Sequence, residues 1–155
     1  MTETYQHNLD MVSSAFWTRQ FGRMLDHLCI PGQIVTTESE MVMTNKDELF
    51  VLAADYRDRL IALGVRSYHR VCLRADYAPR CEDMILGQHE TYLLGDDATK
   101  IDSFSSHMTL MHVDGKWKGI RIGNLASNKR FCFFGDDFAQ DQRTAFAALS
   151  KDRAV

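Results

Sequence analysis

The run from Met84 to Asn124 most constrains what this chain can fold into, because it holds three strand-length segments with no room for a helix between them. Met84–Leu94 runs into Gly95-Asp96-Asp97, Ser103–Val113 runs into Asp114-Gly115, and Lys116–Asn124 follows. Glycine and aspartate tolerate the left-handed backbone that tight hairpins demand, so both junctions read as turns. Strands joined this closely pair antiparallel, since a parallel neighbour needs a long crossover connection. The remaining residues must then supply whatever covers the sheet.

The segments before this run supply helices. Residues 1–12 are expected as a flexible lead-in, and Ser13 or Ser14 can cap a helix from Ala15 to about Leu28 with an apolar stripe of Trp17, Phe21, Met24, Leu25 and Leu28. Pro31-Gly32 stops it, and 33–43 reads as a short hairpin with Glu38-Ser39-Glu40 near its tip. Thr44 and Asn45 can cap a second helix whose first turn carries Asp47 and Glu48, favourable beside the positive helix end. Its stripe is Leu49, Leu52, Ala53, Tyr56, Leu60 and Leu63, and Gly64 suits the left-handed position after a helix end.

Val65–Ala75 alternates as a strand, with Val65, Ser67, His69, Val71 and Leu73 expected inward and Arg66, Tyr68, Arg70, Cys72 and Arg74 outward. Residues 76–83 read as a polar connection. Asp136 or Asp137 can cap a last helix, over about 136–150, and Phe131–Phe138 reads as an interface strip.

Composition sets the outer bounds. A chain of 155 residues with 45% hydrophobic and 25% charged residues is expected to form one globular domain. A net charge of −3 with interspersed signs offers no basic stripe, so nucleic acid is not an expected partner. No apolar run reaches bilayer length and the first ten residues lack a secretory pattern, so the expected location is the cytoplasm, with no membrane contact. Cys29, Cys72, Cys81 and Cys132 show neither close pairing nor metal-ligand spacing and are expected as reduced, packed thiols. No metal or cofactor is expected, since no phosphate-cradling glycine loop, ligand cluster or nucleophile with an adjacent base is visible.

The order helix, hairpin, helix and four consecutive long strands argues for an α+β domain with a curved sheet wrapped over helices. That order, the helix before Ser67-Tyr-His-Arg-Val71, and the late Asp114-Gly-Lys-Trp-Lys-Gly-Ile120 resemble the nuclear-transport-factor-2-like superfamily, most closely its SnoaL-like branch, over roughly residues 15–124. The resemblance implies a cystatin-like cone enclosing an apolar pocket, a small hydrophobic ligand, and homodimers formed through the outer sheet face. It also implies two candidate functions: ligand binding or assembly without catalysis, or a cofactor-independent lyase or isomerase.

In the enzymatic alternative His69 is the general acid or base, resembling the pocket histidine of dehydratase-type members, with Glu90 or His89 as its partner. Ile85, Gly87, His89, Thr91 and Leu93 form one face of their strand; Met84, Leu86, Gln88, Glu90, Tyr92 and Leu94 form the other. Both faces stay open as the lining, and Gly87 is a candidate bulge. The expected ligand-contacting set is Trp17, Tyr56, Val71, Tyr92, Met108 and Arg121. The first helix offers only aromatics where the enzymatic members place acid–base groups, which favours the noncatalytic reading.

Overall fold

A computed structural model describes residues 1–96 and 101–125. Helix α1 (Thr2–Trp17) opens the chain, followed by the single turn α2 (Phe21–Met24), strands β1 (Leu28–Val35) and β2 (Glu40–Met43), and helix α3 (Lys46–Ala62). Strands β3 (Val65–Ala78), β4 (Cys81–Gly95), β5 (Phe104–Val113) and β6 (Lys116–Asn124) complete the described part. The six strands form one open mixed sheet in the order β2-β1-β6-β5-β4-β3. Among the described residues, only β1 and β6 run parallel as neighbours in this sheet. The fold class is the expected α+β arrangement of a curved sheet over helices.

The first correction concerns residues 1–12. They are not a lead-in: Thr2–Trp17 is a helix whose Tyr5, Leu9, Val12 and Phe16 are buried against the sheet. Those four stand four, three and four residues apart, which is the spacing of one helical face. Polar neighbours hide the stripe, and one of them, Asn8, is itself buried and donates to the carbonyls of His27 and Trp117. The helix expected to continue to Leu28 ends at Trp17, and β1 already begins at Leu28, running through Pro31.

Helix α3 follows its sequence signals. Asn45 caps it by accepting from the Glu48 backbone N–H at 3.0 Å, and the Glu48 carboxylate reaches back to the Thr44 N–H at 2.7 Å. Gly64 takes φ 94° just past its end. Leu63, however, lies exposed rather than on the buried stripe.

The second correction is the phase of β3. Val65 pairs with Gly95 but Ser67 with Leu94, so Arg66 is an extra residue, and the alternation flips by one. Tyr68, Arg70 and Cys72 therefore turn to the helices, while His69, Val71 and Leu73 turn to the outer face and are exposed. Leu73 forms a second bulge between the Cys72–His89 and Arg74–Gln88 pairs, which brings Ala75 inward. The polar connection expected over 76–83 is instead a hairpin, since β3 continues to Ala78 and β4 resumes at Cys81 with Arg80 at φ 61° between them.

Along β4 the inward set is Ile85, Gly87, His89, Thr91 and Leu93. The ladder from β4 to β5 runs unbroken from Met84 to Thr91, so Gly87 marks no bulge on that side. It is needed for contact: a Cβ there would lie 2.1 Å from Tyr5 Cε2. The tyrosine ring of α1 thus rests on bare backbone. Asp114 and Gly115 have φ 50° and 77°, the expected tight turn between β5 and β6. The turn at Asp97, the strip at Phe131–Phe138 and the helix over 136–150 lie outside the described residues.

Two apolar clusters meet under the sheet. One joins Phe16, Met24, Leu52, Tyr56, Leu60 and Phe104; the other joins Tyr5, Leu9, Ile85, Met108 and Leu110. Among the described residues no helix is long and apolar enough to cross a membrane.

Candidate ligand pocket

The concave side of the sheet, α1 and α3 leave a cavity of about 110 Å³ between them. Helix α1 contributes Val12, Ser13 and Phe16, α2 contributes Met24, and α3 contributes Leu49, Leu52, Ala53 and Tyr56. The sheet side presents Met43, Tyr68, Arg70, Met108, Ile122 and Asn124. Most of these positions follow from periodicity, a 3.6-residue stripe on α1 and α3 and the inward parity of each strand, whereas Tyr68 and Arg70 owe theirs to the bulge at Arg66. The lining is overwhelmingly apolar, as expected of a small-molecule site with few polar anchors.

Of the expected ligand-contacting residues, Tyr56 and Met108 line the cavity and are buried, and Arg121 stands exposed at its edge with Nε donating to Gln33 Oε1 at 2.9 Å. The others lie elsewhere. Trp17 packs beside Tyr68 with ring centroids 6.4 Å apart and receives the Arg57 guanidinium on its face, outside the lining. Val71 and Tyr92 face outward because the bulge at Arg66 and the parity of β4 place them there.

The expected catalytic group is separated by the same geometry. His69 is exposed on the outer face, so it does not meet the cavity. Glu90 shares that outer face and accepts from Ser105 Oγ at 2.6 Å on the neighbouring strand. His89 alone of the three turns inward and is fully buried.

His89 Nδ1 lies 2.7 Å from the Tyr5 hydroxyl. Burial, reinforced by the charges of Arg70 and His107, pushes the imidazole pKa down to about 2. Burial also raises the Tyr5 hydroxyl well above its usual value, so both partners of this hydrogen bond are neutral. A histidine neutral across the whole ordinary range cannot shuttle protons near neutrality. Cys29, which also lines the cavity, has its thiol pushed up by burial, which withholds the thiolate a nucleophile requires.

The polar residue that sequence reasoning misplaced is Arg70. Strict alternation puts it on the outer face, yet it is 8% exposed and lines the cavity. Its Nε donates to Ser13 Oγ at 2.8 Å and its Nη2 to the Leu9 carbonyl at 3.2 Å, both on α1. A second polar element crosses the inner face where Ser106 Oγ donates to Asn124 Oδ1 at 2.5 Å. Only the bulge at Arg66 reveals Arg70, and that bulge has no glycine or proline to announce it. Among the described residues no group of His, Cys, Asp and Glu is arranged to hold a metal ion.

Solved structures share this fold. A domain of unknown function with a cystatin-like fold from Nostoc punctiforme superposes with a TM-score of 0.61 at 13% identity, covering 97% of this chain and 96% of that one. An NTF2-like protein with a cystatin-like fold from Novosphingobium aromaticivorans gives 0.59 at 10% identity, covering 86% and 88%. A protein of unknown function from Mycobacterium tuberculosis gives 0.59 at 14% identity, covering 80% and 70%. No protein-family model matches the chain, and no curated protein does. The fold is therefore the NTF2-like, cystatin-like cone, and identities this low carry fold without function.

Proposed function

We propose that this NTF2-like domain binds a small hydrophobic molecule on the concave side of its sheet and performs no chemistry on it. The observation that carries the reading is the apolar cavity itself, bounded by Phe16, Met24, Leu52, Tyr56 and Met108 on two layers of the fold. Its volume of about 110 Å³ is of the order of engineered apolar cavities, roughly 150 Å³, that take up benzene. The lyase or isomerase alternative is less well supported, because His69 lies outside the cavity and burial depresses the His89 pKa.

Toluene should raise the melting temperature of the wild type, and Ala53→Leu, which fills the cavity from α3, should abolish that rise. A toluene effect of equal size in both proteins would place binding elsewhere and overturn the reading.

Self-association through the outer sheet face is supported by a separate observation. Val71, Leu73, Leu86, Tyr92 and Leu94 all stand exposed on β3 and β4, large apolar side chains of the kind enriched where partners dock. The wild type should elute as a dimer by light scattering and Leu73→Glu/Leu94→Lys as a monomer; a monomeric wild type would refute it.

A further inference from the structure

The cavity has one feature that a purely hydrophobic ligand does not account for. Arg70 is a permanently charged group with less than a tenth of its surface exposed, and among the described residues it has no ion pair. Its two hydrogen bonds go to neutral acceptors, Ser13 Oγ and the Leu9 carbonyl. These engage Nε and Nη2, whereas Nη1 has no hydrogen-bond partner among the described residues. A buried guanidinium without a counter-charge is costly, and such groups are ordinarily paired. The contacts to α1 hold the planar fork in one orientation, and the Tyr68 ring lies 5.9 Å from the guanidinium carbon. This preorganisation is what bidentate recognition of a planar anion requires.

We propose that Arg70 is the anion-recognition group of the cavity and that the ligand is a small carboxylic acid with a compact apolar body. The carboxylate takes the free edge of the guanidinium, and the body lies among Met24, Leu52, Tyr56 and Met108. A single buried cation matches one negative charge, which favours a monocarboxylate over a multiply charged phosphate. A volume near that of a single aromatic ring sets the size of the body. The inference rests on the reading of this cavity as a ligand site, and it adds the charge of what enters.

The test compares benzoate with benzamide, its neutral isostere, and with toluene, by isothermal titration on wild type, Arg70→Met and Arg70→Lys. Wild type should bind benzoate at least tenfold tighter than benzamide. Arg70→Met should erase that preference while still binding toluene, which reports a surviving cavity. Arg70→Lys retains the charge without the fork and should keep part of the preference. Should Arg70→Met fail to fold, an unchanged benzoate preference in Arg70→Lys would overturn the role of the fork. Equal affinity of the wild type for benzoate and benzamide would overturn the carboxylate inference and leave the hydrophobic site standing. Failure of all three probes to bind would overturn both.

Discussion

Gly87→Ala tests the correction that most alters this fold, the packing of the first twelve residues on the sheet. The new methyl would sit 2.1 Å from Tyr5 Cε2 and 2.5 Å from Cδ2 and Cζ, where carbon contacts normally lie at about 3.5–4.0 Å. Relief requires the ring to retreat by about 1.5 Å. Tyr5 is fully buried and bonded to His89 at 2.7 Å, so retreat breaks that bond. Overpacking contributes about 1–3 kcal/mol of destabilisation. A buried polar group left without its partner adds about 1–3 kcal/mol. Alanine in place of glycine within a strand returns roughly 0.5–1 kcal/mol. The net loss should be about 1–5 kcal/mol, read from urea unfolding followed by circular dichroism and tryptophan fluorescence.

The companion variant Tyr5→Leu removes the ring. In that background Gly87→Ala should be close to neutral, giving a coupling of about 2 kcal/mol or more, a size expected only of residues in contact. A neutral or stabilising Gly87→Ala in the wild-type background would mean that nothing rests on Gly87, and the docking of α1 would be wrong.

Three further outcomes follow from the same contacts. His89 keeps a folded pKa of about 2 against 6.5 when unfolded, so below pH 6.5 the unfolded state binds the extra proton and stability falls as pH falls. The slope is about 1.4 kcal/mol per pH unit, absent above pH 6.5. His89→Gln should flatten it in denaturation series from pH 7.5 to 4.5, while His27, depressed chiefly by its own burial, adds the same sign to both proteins; equal slopes would refute the assignment. Asn45→Ala removes the α3 cap and should lower stability by about 1 kcal/mol, checked by urea midpoint. His69→Ala should leave stability within about 0.5 kcal/mol and toluene binding unchanged, and a loss of binding would return His69 to the site.

Those residues also show what the sequence made legible. Helix α3 was readable because its cap, its acidic first turn, its stripe and its terminal glycine agree, each acting through neighbours within four residues. The Asp114-Gly115 turn was readable for the same local reason. The face of β3 was not, because parity survives only until an extra residue enters, and Arg66 looks like any other strand residue. One insertion moved His69 out of the cavity and Arg70 into it. Helix α1 was obscured by its own function: Asn8 and Ser13 sit on its buried face to satisfy carbonyls and the Arg70 guanidinium, and so dilute the apolar stripe. Gly87 read as a bulge because the ring that requires it lies more than eighty residues away.

Uptake of a small apolar ligand by the concave cavity has a direct readout in the methionines. Of the chain's eight, Met24, Met43 and Met108 line the cavity, whereas Met84 and Met111 pair with each other on the outer face and Met11 is exposed. Titrating toluene into protein carrying ¹³C-methyl methionine should move the resonances of Met24, Met43 and Met108 together, saturably, and leave Met11, Met84 and Met111 in place. Movement confined to Met84 and Met111, or none at all, would mean that the cavity takes up no such ligand.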